Sequence, residues 1–333
     1  MVNPILILMT TEHRARTLTP DLLHRLEALG PVVIAPDGDP RAPAARQALT
    51  EAGVVMTGTG THRLDDDVLD GAPHLRAIVH AAGTLRPIVT EDVYDRGIVL
   101  SSQAAANALP VAEYTLAMVL LELKGVPLAA QAYATARGEV DVDALLADHG
   151  AYRRRVGIIS ASAIGRRVIE LLRPFDVETC VYDPYLSAED AERIGTGLLP
   201  LEDVMRTSDV VSLHAPLLPE TIGMIGAAEL ARLRDGAVFI NTARGALVDQ
   251  AALVSELRRG RIRAVIDVTD PEVPPPDSGL WGCPNLVLTP HVAGSRGREL
   301  VRIGAQAVEE IERFCTGQPL QHSVPRERFA ITA

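Results

Sequence analysis

Lysine is almost missing from this chain: of its 32 basic residues, Lys124 alone is a lysine and the others are arginine. Schiff-base chemistry and P-loop phosphate binding each need a placed lysine, and Lys124 lies in no Gly-x-x-x-x-Gly-Lys context, so both classes drop out. Cysteine is nearly as scarce. Cys180, Cys283 and Cys315 are widely spaced and odd in number, so no Cys-x-x-Cys metal site and no disulfide framework is indicated, and a reducing cytoplasm is expected. Aromatic residues amount to 3% of the chain. Basic residues are outnumbered 32 to 43 by acidic ones, and the formal charge of −11 disfavours a nucleic-acid or anionic-membrane partner, since a phosphate surface needs clustered Lys and Arg. A small molecule becomes the default ligand.

No stretch of eighteen consecutive apolar residues occurs, the nearest candidate running from Tyr114 to Leu121, so no membrane span is expected. The apolar run Ile5-Leu6-Ile7-Leu8-Met9 precedes the first arginine, Arg14, and is too short for a signal h-region with its cleavage site. It reads as a buried first strand.

What the chain does have is length and punctuation. Its 333 residues, 47% apolar with 26 Gly and 23 Pro, suit a globular protein of two domains. Up to about residue 102, short β-branched runs at 5–9, 32–35, 54–57, 77–80 and 98–101 alternate with amphipathic stretches at 20–29 and 41–52, a βα series around a parallel sheet. This first domain reads as flavodoxin-like. A helix over 110–123 is apolar on most sides and therefore buried. Residues 125–150 show no clear period; an arm reaching a partner subunit is one reading.

A second βα series follows, with strands at 156–159, 179–182, 210–213, 238–241, 265–268 and 286–288. Six strands with intervening helices make a doubly wound, Rossmann-type sheet. The helix from Ile164 carries Val168, Leu171 and Leu172 on one side, as a helix covering a sheet should. A last amphipathic helix, 300–314, is expected to return to the first domain. The first series and this returning helix then make one domain and the second series another.

The stretch from Val156 to Val168 has the strand–turn–helix context of a dinucleotide fingerprint, but Ser160, Ser162 and Gly165 stand where G-x-G-x-x-G asks for three glycines. Glycine at the first place permits the tight turn, at the second a close approach of pyrophosphate, at the third close helix–strand packing. If position 160 requires a left-handed backbone, serine costs about 1–2 kcal/mol there. Asp183, eighteen residues past Gly165 at the end of a strand, can accept hydrogen bonds from both ribose hydroxyls and repel a 2′-phosphate, which favours NAD over NADP. Gly58-Thr59-Gly60 lacks a third glycine and reads as a loop.

Three polar residues end strands of the second series, on the edge where doubly wound sheets bind ligands. Arg244 has the planar fork that captures a carboxylate. Glu272 follows one strand and His291 another. Each alone reads as a surface or structural residue; together they suit an anchor, an orienting carboxylate and a proton exchanger.

These residues lie in six segments that resemble the D-isomer-specific 2-hydroxyacid dehydrogenases: Asn107-Ala108-Leu109-Pro110-Val111-Ala112-Glu113, Tyr182-Asp183-Pro184-Tyr185, Val211-Ser212-Leu213-His214-Ala215-Pro216-Leu217, Asn241-Thr242-Ala243-Arg244-Gly245, Asp270-Pro271-Glu272 and Thr289-Pro290-His291-Val292-Ala293-Gly294. They occur in family order over about residues 75 to 320. The resemblance implies that Arg244 binds the substrate carboxylate, His291 exchanges the proton and Glu272 orients and charges it. It implies an NAD surface of Ser160, Ser162, Ala163, Ile164, Gly165, Asp183, Pro184, His214, Ala215, Pro216, Thr221, Thr242, Ala243, Asp267 and Gly294. It also implies an NAD-binding domain of residues 103–295 and a domain of residues 1–102 with 296–333 acting as a substrate lid, with backbone N–H groups of Ala82 and Gly83 helping to hold the carboxylate, an active-site cleft between the domains, and a homodimer. The expected function is interconversion of a 2-keto acid and a D-2-hydroxy acid with NAD. Two alternatives stay open: a nucleotide-binding sensor or interaction paralogue with little catalysis, to which the altered glycine turn points, and the same chemistry on another oxyanion held by Arg244.

Overall fold

A computed structural model describes residues 3–329. Residues 1–2 and 330–333, assigned to the first domain above, lie outside the described residues. The chain divides into two compact units: one from the residues up to Ala108 together with those from Ser295 onward, the other Leu109–Gly294.

Among the described residues the first unit holds five strands, β1 (Ile5–Leu8), β2 (Val32–Ala35), β3 (Val54–Thr57), β4 (Ala77–His80) and β5 (Val99–Ser102), in the order β2-β1-β3-β4-β5. Every pairing is parallel, and the order is that of a flavodoxin-like sheet. The strands are continuous apolar runs because both faces are covered. Leu6, Leu8, Val55, Ile78 and Leu100 pack with Leu49, Leu64 and Leu75 on one face, while Ile5, Ile7, Met56 and Val79 pack with Leu22, Leu26, Ile303 and Ile311 on the other. Ile303 and Ile311 belong to the last long helix, Leu300–Cys315, which returns to this unit as expected.

The second unit contains β6 (Arg154–Ile159), β7 (Val177–Tyr182), β8 (Gly197–Leu198), β9 (Val210–Leu213), β10 (Val238–Asn241), β11 (Arg263–Ile266) and β12 (Leu286–Leu288), in the order β12-β11-β10-β9-β6-β7-β8. Strand order reverses between β6 and β9, so the turns after these two strands flank the switch point of a Rossmann-type sheet. The edge strand β8 makes seven where six were expected. Two residues, one of them Gly197, are too few to carry a hydrophobic period.

Other differences have equally local causes. A helix over Thr11–Thr17 was not anticipated, because its TEHRART sequence shows no apolar stripe; it is capped instead by Thr10, whose side chain accepts from His13 N. The helix expected at 41–52 spans Pro43–Leu49, beginning at a proline whose fixed φ suits the first turn. The helix expected at 110–123 runs over Ala104–Lys124, so Pro110 lies inside it and not at its start. By length and composition that helix is long and apolar enough to cross a membrane, although polar residues interrupt its apolar runs. Here Ala112, Val119 and Leu123 pack into the core of the second unit, and Glu122 pairs with Arg263 at 3.0 Å. The segment 125–150, aperiodic by sequence, holds helices Val126–Ala136 and Val142–Leu145. Neither buries a residue, which is why no amphipathic period marks them.

Candidate active site

Each functional side chain of the second unit follows the C-terminal end of a strand. Ser160 follows β6 and adopts φ 79°, the left-handed region that favours glycine. Its N–H donates to Tyr182 O at 2.7 Å and its hydroxyl to Asp183 Oδ2 at 3.2 Å. Ser162 is different. At φ −61° it needs no glycine, and it is the N-cap of the helix Ala163–Leu172, accepting the Gly165 N–H at 3.3 Å. Gly165 is required for close packing: a Cβ there would lie 2.1 Å from Ser160 O. Of the two places where the fingerprint asks for glycine, only the one held by Ser160 has a left-handed backbone; Ser162 caps a helix.

Asp183 ends β7. Its Oδ2 accepts the Ala161 N–H at 2.8 Å and its Oδ1 the Tyr185 N–H at 2.8 Å, so the carboxylate is bound to the turn with Pro184 beside it. After β9, His214 is buried, with Nε2 2.9 Å from Ser212 Oγ, and burial pushes its pKa down to about 3. Its ring is turned into the unit, so any contact it offers a ligand is through the backbone of His214, Ala215 and Pro216. Thr221 closes the same loop by donating to Pro216 O at 2.7 Å.

After β10 the chain turns sharply. Asn241 donates through Nδ2 to Arg244 O at 2.9 Å and accepts the Ala243 N–H at 2.9 Å, tying the loop that presents Arg244. Sequence alone gives Asn241 no role beyond its motif; an Asn at a strand end, preceding a turn, is the available signal for this one. The Thr242 hydroxyl meets Thr115 Oγ1 at 3.3 Å, and Arg244 Nη1 donates to Ala243 O at 2.7 Å. Gly245 lets this loop reach the next one: a Cβ there would be 2.1 Å from the Thr269 carbonyl carbon and 2.5 Å from Asp270 N. The Arg244 loop thus packs directly on the segment leading to Glu272.

After β12, His291 sits at φ 52°, again in the left-handed region. Buried Asp267 holds it there. Asp267 Oδ1 accepts the Thr289 hydroxyl at 2.6 Å and the Val292 N–H at 2.8 Å, Oδ2 accepts the Ala293 N–H at 2.9 Å, and the Asp267 carbonyl accepts the His291 N–H at 2.9 Å. Strain of about 1–3 kcal/mol survives only where surrounding bonds over-determine the conformation, as they do here. Tyr114 OH adds a contact of 2.9 Å to Thr289 Oγ1. Gly294 ends this loop and the unit. His291 Nδ1 meets Glu272 Oε1 at 2.5 Å, and Thr269 Oγ1 holds Glu272 O at 2.8 Å. The pair is open to solvent, with side chains 42% and 61% exposed, so it contributes little to stability and turns Nδ1 towards Glu272. Ala82 and Gly83 belong to the first unit, in the loop after β4.

The strand order and the turn after β6 place the second unit in the doubly wound class of dinucleotide-binding folds. Residues 116–293 match the family described as "D-isomer specific 2-hydroxyacid dehydrogenase, NAD binding domain", and the chain belongs to that family. It is 30% identical to the D-3-phosphoglycerate dehydrogenase of Archaeoglobus fulgidus over 82% of this chain and 51% of that protein. It is also 30% identical to the glyoxylate reductase of Korarchaeum cryptofilum over 78% of each. The chain spans about half the length of the phosphoglycerate dehydrogenases it matches. Among solved structures, a Thermus thermophilus protein at 28% identity superposes with TM-score 0.77, covering 97% of this chain and 100% of that one. The Aquifex aeolicus D-lactate dehydrogenase, complexed with NAD and lactic acid, does so at 25% identity with TM-score 0.72, covering 95% and 96%. The cofactor is NAD.

Proposed function

We propose that this protein interconverts a 2-keto acid and a D-2-hydroxy acid, with Arg244 as carboxylate anchor and His291 as proton donor in reduction and acceptor in oxidation. The observation that carries the proposal is the contact chain from Arg244 through Gly245 and the Thr269–Asp270 segment to the 2.5 Å Glu272–His291 bond. It supports an anchor and an acid held by touching loops. The turn also suits the cofactor: helix Ala163–Leu172 offers N-terminal N–H groups to a pyrophosphate, Gly165 lets that helix pack closely on the turn, and the Asp183 carboxylate can accept from ribose hydroxyls. NADH, when bound, supplies the hydride to the carbonyl carbon.

The chain's own residues do the rest. Arg244 holds the carboxylate through its fork, and the backbone N–H groups of Ala82 and Gly83 are assigned to the same carboxylate from the family resemblance. Glu272 accepts from Nδ1, which orients the ring and leaves Nε2 to deliver a proton to the carbonyl oxygen as negative charge develops there. A spectrophotometric screen for NADH consumption over a panel of 2-keto acids, phosphonates and inorganic oxyanions tests this. Turnover with a 2-keto acid is expected. Intact NADH binding with no turnover on any member would favour the sensor reading, which the non-glycine residue at φ 79° motivates.

A homodimer forms part of the same proposal. Helix Val126–Ala136 buries none of its residues although its sequence is VPLAAQAYATA, and Tyr133 is 66% exposed. Light scattering should give about twice the 35.6 kDa chain mass. A cytoplasmic location suits three cysteines that are all free.

A further inference from the structure

The loop after β4 is anchored, within the first unit, through successive carbonyl groups. His13, in the helix Thr11–Thr17, places Nε2 3.3 Å from Ala81 O. A carbonyl only accepts, so Nε2 is the donor. The Gln103 N–H donates to Ala82 O at 2.9 Å. His80, buried at the end of β4, has Nδ1 2.9 Å from Thr57 Oγ1 and also bonds the backbone of Thr84; burial pushes its pKa down to about 4, so the ring is neutral near pH 7.

In a trans peptide the C=O and the following N–H point in opposite directions. Holding Ala81 O therefore aims the Ala82 N–H away from His13, and holding Ala82 O aims the Gly83 N–H away from Gln103. Neither N–H has an acceptor among the described residues, while the carbonyls on the other side of each peptide do. The histidine ring has room because residue 58 lacks a side chain: a Cβ on Gly58 would lie 2.6 Å from His13 Cδ2 and 2.9 Å from Nε2. The Gly58-Thr59-Gly60 stretch, which the sequence leaves as a plain loop, thus has a specific use.

We propose that His13, seated against Gly58, is a positioning residue that sets the Ala82 N–H in advance for the carboxylate of the 2-keto acid. This rests on the reading of the Ala82–Gly83 loop given under Proposed function. His13 does not touch the reacting atoms; it acts through the peptide it holds.

The test uses the full chain, NADH and the best 2-keto acid from the panel, with steady-state kinetics of His13→Ala, His13→Asn, His13→Gln, Gly58→Ala and the His13→Ala/Gly58→Ala double variant. Losing one hydrogen bond to a backbone carbonyl should raise KM for the keto acid roughly 3- to 10-fold in His13→Ala, with kcat and the KM for NADH within about twofold. His13→Gln, whose amide can reach the same carbonyl, should recover most of the loss. Gly58→Ala should raise KM similarly and add nothing in the double variant, since both remove one contact. Should His13→Ala fail to fold, His13→Asn, too short to reach Ala81, carries the same expectation. Unchanged KM in a folded variant, a fall in kcat alone, or equal losses in Gln and Ala would each overturn the role of His13 while leaving the dehydrogenase reading intact. No turnover of any keto acid by the unmodified protein would overturn both.

Discussion

The Ser160 hydroxyl donates to Asp183 Oδ2 at 3.2 Å, the same oxygen that takes the Ala161 N–H at 2.8 Å. The first serine of the fingerprint turn therefore spends its hydroxyl on the carboxylate assigned to the ribose, and the second spends its own on the Gly165 N–H. Ser160 carries backbone strain that the bond to Asp183 offsets in part. Ser162 carries none.

The two serines should consequently respond differently to substitution. Ser160→Gly removes a left-handed non-glycine residue and is expected to raise stability by about 1 kcal/mol while binding NADH as tightly as the unmodified protein or more so. Ser162→Gly should cost only a few tenths of a kcal/mol, and Ser162→Ala about 1 kcal/mol, through loss of the cap. Denaturant melts and NADH fluorescence titrations measure both effects. Weaker NADH binding by Ser160→Gly would show that the hydroxyl prepares Asp183 for the cofactor.

Roles at the sheet edge separate by kinetic parameter. His291→Asn is expected to lower kcat by about 10²-fold or more with NADH affinity little changed, as for loss of a general acid. Arg244→Lys should act mainly on KM for the keto acid, because a point charge does not reproduce the fork. Glu272→Gln keeps a hydrogen-bond acceptor and removes the charge, so its kcat should fall less than that of His291→Asn. Near-normal kinetics in all three would remove the catalytic assignment.

Asp183 should make NADH the preferred cofactor, since its carboxylate opposes a 2′-phosphate. The ratio of kcat/KM for NADH over NADPH should exceed one and collapse in Asp183→Ser. A ratio below one in the unmodified protein would mean that the carboxylate serves only the turn through Ala161 and Tyr185.

Acid should weaken both units through buried imidazoles. His80 in the first unit and His214 in the second are pushed down to about 4 and about 3 from an ordinary 6.5. The unfolded chain protonates them from pH 6.5 downward while the folded units do not. Their contribution is therefore complete above pH 6.5 and is lost as pH falls towards those lower values, at about 1 kcal/mol per pH unit for each group. Urea denaturation at pH 7, 6 and 5 should show falling stability, with a smaller slope for the first unit in His80→Gln. A flat profile over that range would mean that the rings charge inside the fold without penalty.

Periodicity and residue type by themselves determined the two βα series, the parallel sheets and the strand ends that carry Asp183, Arg244, Glu272 and His291, because a buried strand must be apolar and its ligand edge polar. The family was legible in a different way, as a resemblance carried by six ordered segments. Tertiary structure alone decided that Ser160 is strained and Ser162 is a cap, since φ and a hydroxyl's partner depend on what surrounds the turn. It decided that Asp267 holds the His291 loop and that the His214 ring faces inward, because a carboxylate or imidazole at a strand end can serve ligand or backbone with the same sequence. Helix Thr11–Thr17 and the seat it gives His13 against Gly58 were invisible for a related reason: a short capped helix needs no apolar stripe, and a close contact between residues 13 and 58 exists only once β1 and β3 lie side by side.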